Sequence, residues 1–218
     1  NEFQELFKTQ KNRFLFIPFG SEISYYKKTD ILRKMNLNKK QYILFIGRFI
    51  PDKGLHYLIE AYKMIRNPKY KLVLIGGAPN PSNYEIQICN NKSENILMPG
   101  FLYGDDLATI LEHTLLYIQP SDIEGLSPMI LQVLGMGVPL LCSDIKENLY
   151  LVKDEAITFK KSNVSDLYNK LIYCLDNKRE IMLNAKDAAK RIKREYNWDD
   201  VAKKHMDVFY NSHSIRIK

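Results

Sequence analysis

Two basic side chains form the first group that could carry chemistry. Arg48 and Lys53 lie five positions apart in a short segment that follows a run of apolar residues. Gly47 precedes the arginine and lets the backbone approach a ligand closely. An arginine fork and a lysine point charge together suit the oxygens of a diphosphate. A solvated basic loop without a ligand is the alternative that this spacing alone leaves open.

A second polar segment ends where a helix is expected to begin. Ser127 and Pro128 are residue types that favour the N-cap and the first turn of a helix. The run Met129–Met136 is apolar on nearly every side, which predicts a buried helix whose first amides form an anion site. Glu124 lies just before it. This carboxylate either accepts hydrogen bonds from ligand hydroxyls or merely neutralises the helix dipole or Arg48.

One polar side chain interrupts the apolar helix. Gln132 is the only strongly polar residue between Pro128 and Gly135. A polar group on a buried helix needs a hydrogen-bonding partner. That partner is either a backbone group or a ligand hydroxyl one turn below the helix start, and the sequence leaves both open.

Several common sites have no counterpart in the sequence. No two aspartates have Asp-x-Asp spacing, and no P-loop, Gly-x-Gly-x-x-Gly or Gly-x-Ser-x-Gly motif occurs. The three cysteines are far apart, and the four histidines lie in helix-like or tail settings. We therefore expect no disulfide scaffold, no metal site, no bound cofactor and no histidine that acts as a ligand or base.

The elements that must position these residues alternate between strands and helices. Six short, nearly continuous apolar runs are typical of strands buried on both faces. Apolar residues at helical spacing separate them, which predicts an α/β, Rossmann-like three-layer domain with a mostly parallel sheet of about six strands and a helical C-terminal tail. A further short strand is expected at Phe14–Ile17, and the tail is expected to break near Asn197 and Trp198. The six predicted strands are Tyr42–Ile46, Lys71–Ile75, Asn95–Met98, Leu115–Ile118, Val138–Cys142 and Ala156–Phe159.

Composition limits the classes of function. The chain has 218 residues, 45% of them hydrophobic, and a net charge of +7, which favours an anionic partner without choosing one. Binding to nucleic acid is disfavoured because the lysines are scattered and do not alternate with aromatic residues on one face. No apolar run approaches the roughly 20 residues of a membrane span. The sparse cysteines suggest a cytoplasmic protein, and an opening without methionine suggests a fragment.

These patterns predict three parts of the chain. Residues 1–20 are expected to form a linker segment and a first strand, residues 21–195 the Rossmann-like domain, and residues 196–218 a C-terminal helix and tail. In an open parallel sheet, ligands bind beyond the carboxyl ends of the strands. The two polar segments are therefore expected to meet at that edge.

The motifs together resemble those of a known family. The chain is similar to the C-terminal, donor-binding domain of GT-B fold glycosyltransferases, specifically the retaining enzymes of family 4. The resemblance extends over most of residues 14–210. It depends on residues 17–20, 44–54, 96–101 and 120–144, and on Trp198 with the helix that follows it.

The resemblance implies a role for each site residue. Arg48 and Lys53 would bind the donor diphosphate, and Glu124 would contact the sugar hydroxyls. In the family's Glu-x7-Glu motif the second glutamate binds the ribose, and here that position is Gln132, which implies weaker ribose binding by about 1–2 kcal/mol. The remaining expected contacts are the backbone at Gly125, Leu126 and Ser127 with sugar and phosphate, Gly47 with the diphosphate, and Gly100 and Phe101 with the base.

The resemblance also implies an activity. It implies retaining, metal-independent transfer of a hexose from a nucleoside diphosphate sugar to a glycan or lipid acceptor, in polysaccharide biosynthesis. The acceptor would bind to an amino-terminal domain absent from this chain, so the chain alone is expected to be inactive. The full-length protein could associate peripherally with the inner face of the membrane. A nucleotide-sugar-binding module that has lost catalysis, with Gln132 as the lesion, is the alternative.

Overall fold

A computed structural model describes residues 15–21, 26–78 and 80–215 of the chain, with side chains as far as Tyr210. Strands and helices alternate through most of it. The strands are β1 Tyr42–Gly47, β2 Lys71–Gly76, β3 Ile96–Gly100, β4 Leu116–Gln119, β5 Leu140–Ser143 and β6 Ile157–Phe159. The helices are α1 Ile31–Lys34, α2 Leu55–Lys63, α3 Asn83–Cys89, α4 Gly104–His113, α5 Pro128–Gly135, α6 Lys146–Val152, α7 Val164–Asp176, α8 Lys178–Glu195 and α9 Trp198–Ile215, with a 3-10 turn at Pro51–Lys53.

The strands form one parallel sheet in the order β3-β2-β1-β4-β5-β6. Each of the six predicted strands is confirmed to within two residues at either end. Alternate side chains of β1 enter separate cores: Leu44 packs in one buried cluster, and Ile43 and Phe45 pack in the other. The sheet is therefore covered by helices on both faces, which is why its strands are continuously apolar.

The strand order creates a crevice at the centre of the sheet. Strands β1 and β4 are neighbours, and the chain leaves them toward opposite edges of the sheet. Ligands bind outside the carboxyl ends of the strands at such a switch point. The two loops that follow β1 and β4 contain the two polar segments that the sequence singled out.

The predicted strand at Phe14–Ile17 is wrong for residues 15–17, which are irregular; Phe14 lies outside the described residues. Residues 15–17 pair with no strand of the sheet; Phe16 instead packs edge-on against Tyr150 of α6, and Ser21 is held by two carbonyl groups from other parts of the chain. The amide of Ser21 donates to the Tyr196 carbonyl at 2.6 Å, and the Ser21 hydroxyl donates to the Leu131 carbonyl.

The predicted break in the helical tail is confirmed. Helix α8 ends before Tyr196 and α9 begins at Trp198. Gly20 packs so closely against the Trp198 ring that a Cβ at this glycine would lie 2.6 Å from it. Among the described helices, none has the length and apolarity required to span a bilayer.

Candidate functional site

The loops that follow β1 and β4 are locked together by their backbones. The amide of Asp122 donates to the Asp52 carbonyl at 2.8 Å. Gly54 has a φ of +66°, and a Cβ on it would lie 2.0 Å from the Pro120 carbonyl oxygen. Only glycine fits this position, because it tolerates both the left-handed backbone and the close approach. The two polar segments are thereby held in one arrangement.

The lock brings Lys53 and Glu124 into direct contact. The Lys53 ammonium lies 2.6 Å from Oε1 of Glu124, although the residues are 71 positions apart in the chain. The lysine side chain is 18% exposed and the glutamate side chain 8% exposed. Sequence reasoning predicted that both would lie at this edge, but it did not predict that they pair with each other.

Two further donors hold the same oxygen of Glu124. Gln119 Nε2 lies 2.5 Å and Ser121 Oγ 2.7 Å from Oε1. The other oxygen, Oε2, accepts no hydrogen bond from the described residues and is not among their buried unpartnered atoms. The carboxylate is therefore anchored on one side and available to a ligand on the other.

Sequence reasoning missed Gln119 and Ser121 as site residues. The available signal was the polar type of Gln119 at the end of an otherwise apolar strand. Asp122 adds a second layer of support: it accepts from the Tyr57 hydroxyl at 3.0 Å and from the Ser162 hydroxyl at 2.7 Å. These bonds hold the loop after β4 against α2 and against the segment before α7.

Arg48 differs from Lys53 in its surroundings. It is exposed, and it makes no ion pair or hydrogen bond with any other described residue. The close approach of a ligand to the Gly47 backbone stays a prediction; in the structure the neighbouring strand approaches this residue, and a Cβ at Gly76 would lie 1.9 Å from the Gly47 carbonyl oxygen. The structure thus leaves the Arg48 guanidinium open to solvent.

The start of α5 is built as predicted. Ser127 is the N-cap, and its hydroxyl accepts from the Ile130 amide at 3.3 Å, while Pro128 occupies the first turn. Gly125 is exposed and Leu126 is half-buried. Both line a cleft of about 550 Å³ together with Phe16, Lys146, Glu147 and Tyr150.

Gln132 lies on α5 about one turn from that start. Its side chain is half-buried, and it makes no hydrogen bond with any of the described residues. The backbone partner that was one interpretation of this residue is therefore absent from the described part of the chain. The amide is available to a ligand.

Gly100 and Phe101 lie at the edge of the sheet beyond β2. Gly100 has a φ of +84°, which turns the chain so that the ring of Phe101 is 48% exposed. The ring of Tyr103 is parallel to that of Phe101 within 5°, with centroids 6.1 Å apart. Tyr103 was not predicted, and this exposed aromatic pair offers a flat apolar surface.

Two of the three cysteines are unsuited to nucleophilic chemistry. Burial raises the pKa of the Cys142 thiol to about 12 and that of Cys174 to about 12, so both stay protonated near neutral pH. No group of three or more His, Cys, Asp or Glu side chains that could hold a metal ion occurs in the part of the chain that the structure describes. The groups that the structure brings together at the site can bind an anion and hydroxyl groups.

Known proteins are similar to this chain over most of its length. The sequence model of the family described as Glycosyl transferases group 1 matches residues 27–198. The chain is 24% identical over 198 residues to an uncharacterized glycosyltransferase of Methanocaldococcus jannaschii. This match covers 88% of the chain and 50% of that protein. It is 24% identical over 186 residues to the N,N'-diacetylbacillosaminyl-diphospho-undecaprenol alpha-1,3-N-acetylgalactosaminyltransferase of Campylobacter jejuni, covering 84% and 48%.

A solved structure shares the fold. The Anabaena protein HepE, crystallised in complex with UDP and glucose, has a TM-score of 0.76 and 15% sequence identity, and the match covers 84% of this chain and 52% of that one. This likeness agrees with the Rossmann-like architecture described above. The chain spans about half the length of the curated relatives that it matches.

Proposed function

Because the chain belongs to the glycosyl transferases group 1 family, we propose that it is the C-terminal, donor-binding domain of a retaining glycosyltransferase of family 4. Its substrate in this proposal is a nucleoside diphosphate sugar. The observation that carries the proposal is the contact of Lys53 with Glu124 at the switch point of the sheet, beside the capped start of α5. A phosphate-binding cation and a hydroxyl-binding carboxylate are there joined in one site.

Arg48 and Lys53 bind the diphosphate of the donor. Arg48 is exposed and has no partner among the described residues, so it is available to phosphate oxygens. Lys53 and the first amides of α5 add positive charge as the glycosidic bond breaks and the diphosphate leaves. This charge comes from the protein, and the leaving phosphate itself takes the acceptor proton. The transfer is proposed to be metal-independent on the family resemblance, with no cofactor.

The remaining site residues orient the rest of the donor. Oε2 of Glu124 accepts hydrogen bonds from the sugar hydroxyls, and the backbone at Gly125 and Leu126 meets the sugar. The Gln132 amide accepts from a ribose hydroxyl through its oxygen. The ring of Phe101 lies against the base, since exposed aromatic faces stack on bases without strong sequence preference.

The acceptor is a glycan or a lipid-linked glycan bound by a separate amino-terminal domain. The Campylobacter relative is named for transfer to a diphospho-undecaprenol acceptor, and an Escherichia coli relative is named an O-antigen chain mannosyltransferase. By this proposal, the protein works in polysaccharide biosynthesis on the cytoplasmic face of the membrane. The present chain lacks the acceptor side and has no hexosyltransferase activity alone.

A thermal-shift panel tests the proposal. A ligand that binds only the folded chain raises its unfolding midpoint. We expect UDP or GDP and the corresponding sugars to raise the midpoint, and nucleoside monophosphates to raise it less because they lack the second phosphate. Failure of every nucleoside diphosphate to bind would contradict the proposal.

The second candidate function is a nucleotide-sugar-binding module that has lost catalysis, and Gln132 in place of a carboxylate is the observation that favours it. An assay of the full-length protein separates the two. Sugar transfer excludes the module, whereas tight binding without transfer or hydrolysis supports it.

A further inference from the structure

We infer that Gln119 is a positioning residue for the donor sugar: it holds Oε1 of Glu124 so that Oε2 faces the sugar hydroxyls. The inference rests on the proposed function and adds a residue to it. It also explains how Glu124 stays hydrogen-bonded when Lys53 turns toward a diphosphate.

The oxygen and the nitrogen of the Gln119 side-chain amide both have hydrogen-bonding partners. The side chain is 3% exposed, at the carboxyl end of β4. Its Nε2 has two protons, and two acceptors lie within reach: Oε1 of Glu124 at 2.5 Å and Oγ of Ser121 at 2.9 Å. The Ser121 hydroxyl in turn donates to Oε1 of Glu124 at 2.7 Å. The amide and the hydroxyl thus fix this oxygen from two directions.

The Glu124 carboxylate determines which way the amide of Gln119 points, and the Tyr117 hydroxyl fits that orientation. The Tyr117 hydroxyl lies 2.8 Å from Oε1 of Gln119 and 3.1 Å from the Ile46 carbonyl oxygen, and both of these oxygens only accept. Burial raises the pKa of Tyr117, so its hydroxyl keeps the proton that it donates. The reverse orientation of the amide would place its oxygen against the Glu124 carboxylate. The network therefore allows one orientation, with Nε2 toward Glu124.

The anchored oxygen matters because Lys53 has two roles. In the structure its ammonium bonds to Glu124, and in the proposed function it binds the diphosphate. The Glu124 carboxylate is only 8% exposed, so it would be strongly destabilised if Lys53 left and no other group bonded to it. Gln119 and Ser121 remain on Oε1 during that exchange, so the carboxylate stays in place and Oε2 keeps its direction.

The first experiment replaces the amide with an apolar group of similar size. Isothermal titration of the 218-residue chain with UDP and UDP-glucose, and with GDP and GDP-mannose, gives the ratio of the two dissociation constants in each pair. In the wild type we expect the sugar to tighten binding. We call the ratio of the dissociation constant of the nucleoside diphosphate to that of its sugar the sugar gain. In Gln119→Met we expect the sugar gain to fall by about 5- to 10-fold. The affinity for the nucleoside diphosphate itself should change less than about twofold.

A matched control separates positioning from general stability. Thr114 is fully buried just before β4 begins, and its hydroxyl donates to the carbonyls of Tyr42 and Leu116. Thr114→Val also removes a buried polar group beside the same strand, but far from Glu124. It should lower the unfolding midpoint without changing the ratio of dissociation constants. If it changes the ratio as much as Gln119→Met does, the positioning role is overturned.

The second experiment uses a pH profile, which a merely structural role would not produce. In Gln119→Glu two carboxyl groups lie at hydrogen-bond distance, which raises the pKa of the pair and makes them share a proton. At pH 5.5 the new carboxyl group is protonated and donates to Glu124, so the sugar gain returns. At pH 8.5 it is ionised, and the gain is lost. The wild type at each pH corrects for ionisation of the terminal phosphate of the nucleotide.

The outcomes distinguish this inference from the proposed function. If neither nucleotide pair binds the wild type, the proposed function fails and the inference fails with it. If the wild type shows a sugar gain that Gln119→Met retains, or if Gln119→Glu shows no pH dependence beyond the wild type, the inference alone is overturned. A gain lost in Gln119→Met and restored by acid in Gln119→Glu supports it.

Discussion

Two buried ion pairs in this molecule differ in how completely their hydrogen-bonding groups are used. In one, Arg191 on α8 donates to both oxygens of Glu155, to Glu195 and to the Leu151 carbonyl. All three nitrogens of its guanidinium therefore have partners. In the other pair, Lys53 and Glu124 contact through Oε1 alone, and the second oxygen of the carboxylate has no partner among the described residues.

The difference separates a structural cluster from a binding site. A fully satisfied cluster has nothing left to offer a ligand, and it fixes α8 against the end of α6. An incompletely satisfied pair, with an exposed Arg48 earlier in the same loop as Lys53, retains both an acceptor and a cation for a ligand. Burial and charge alone would not distinguish the two, because both cations are mostly buried.

The largest expected loss of stability comes from the structural cluster of Arg191, Glu155 and Glu195. Arg191→Met removes the guanidinium and leaves Glu155 and Glu195 without their common partner. Breaking a mostly buried ion pair in this way should lower the free energy of unfolding by about 3 kcal/mol. Urea unfolding measures this loss, and titration with UDP and GDP should show unchanged affinity.

The matched control for that variant is Lys190→Met, next to it on α8. The Lys190 side chain is 79% exposed and pairs with Asp187 at the surface. It should change stability by less than about 0.5 kcal/mol, as exposed pairs do. Equal losses for the two variants would contradict the assignment of the Arg191 cluster as a structural anchor.

In contrast to Arg191→Met, Lys53→Met should weaken nucleotide binding more than it weakens the fold. We expect affinity for UDP or GDP to fall about 10- to 100-fold, since a charge-assisted hydrogen bond contributes about 1.5–3 kcal/mol. Stability should change less than in Arg191→Met, because Gln119 and Ser121 still hold Glu124. In the full-length enzyme, turnover should fall by orders of magnitude.

Lys92→Met is the control for the change in net charge. Lys92 is exposed and lies in the turn after α3. Nucleotide affinity should be unaffected in this variant. Wild-type affinity in Lys53→Met itself would remove Lys53 from the diphosphate site.

The sequence determined the fold more fully than the site. Six apolar runs predicted six strands, because a strand buried on both faces has apolar side chains at nearly every position. Ser127 and Pro128 predicted the start of α5 for a similarly local reason. The segment around Phe16 was misjudged because its partner, Tyr150 of α6, is distant in the chain and leaves no periodic signal in the segment.

The site could be predicted in its members but not in its pairing. Lys53 and Glu124 were selected by type and spacing, yet their contact depends on a strand order that local patterns do not specify. Gln119 was missed because a polar residue at a strand end is common, and its role arises only from three groups brought together by the fold. Tyr103 was missed because its parallel packing with Phe101 depends on the turn at Gly100.

Gln132→Glu tests the second carboxylate position and should have a smaller effect. A carboxylate accepts a ribose hydroxyl with charge assistance that the amide lacks. We expect affinity for UDP or GDP to rise about tenfold, which corresponds to about 1.4 kcal/mol. The rise should be much smaller for nucleotides that lack the ribose hydroxyls, such as 2',3'-dideoxy analogues. An equal rise for both would contradict ribose binding at this position.

The smallest expected effect is the pH dependence of the structural cluster. Hydrogen bonding to the Lys153 ammonium, with further bonds to Arg194 and Arg191, lowers the pKa of Glu195 from its ordinary 4.5 to about 2. A carboxylate with a lowered pKa stabilises the fold above its unfolded pKa, and this stabilisation is lost as the pH falls from 4.5 toward 2.

Urea unfolding of the wild type and of Glu195→Gln across that range checks this dependence. The difference in free energy of unfolding should be under about 1 kcal/mol at pH 6, because solvent screens this partly exposed carboxylate. It should shrink toward zero near pH 2, and 0.5 M salt should reduce it at pH 6. A difference that stays constant with pH would mean that Glu195 acts through packing and not through its charge. The structural cluster would then depend on Arg191 and Glu155 alone, and its contrast with the open Lys53–Glu124 pair would become sharper.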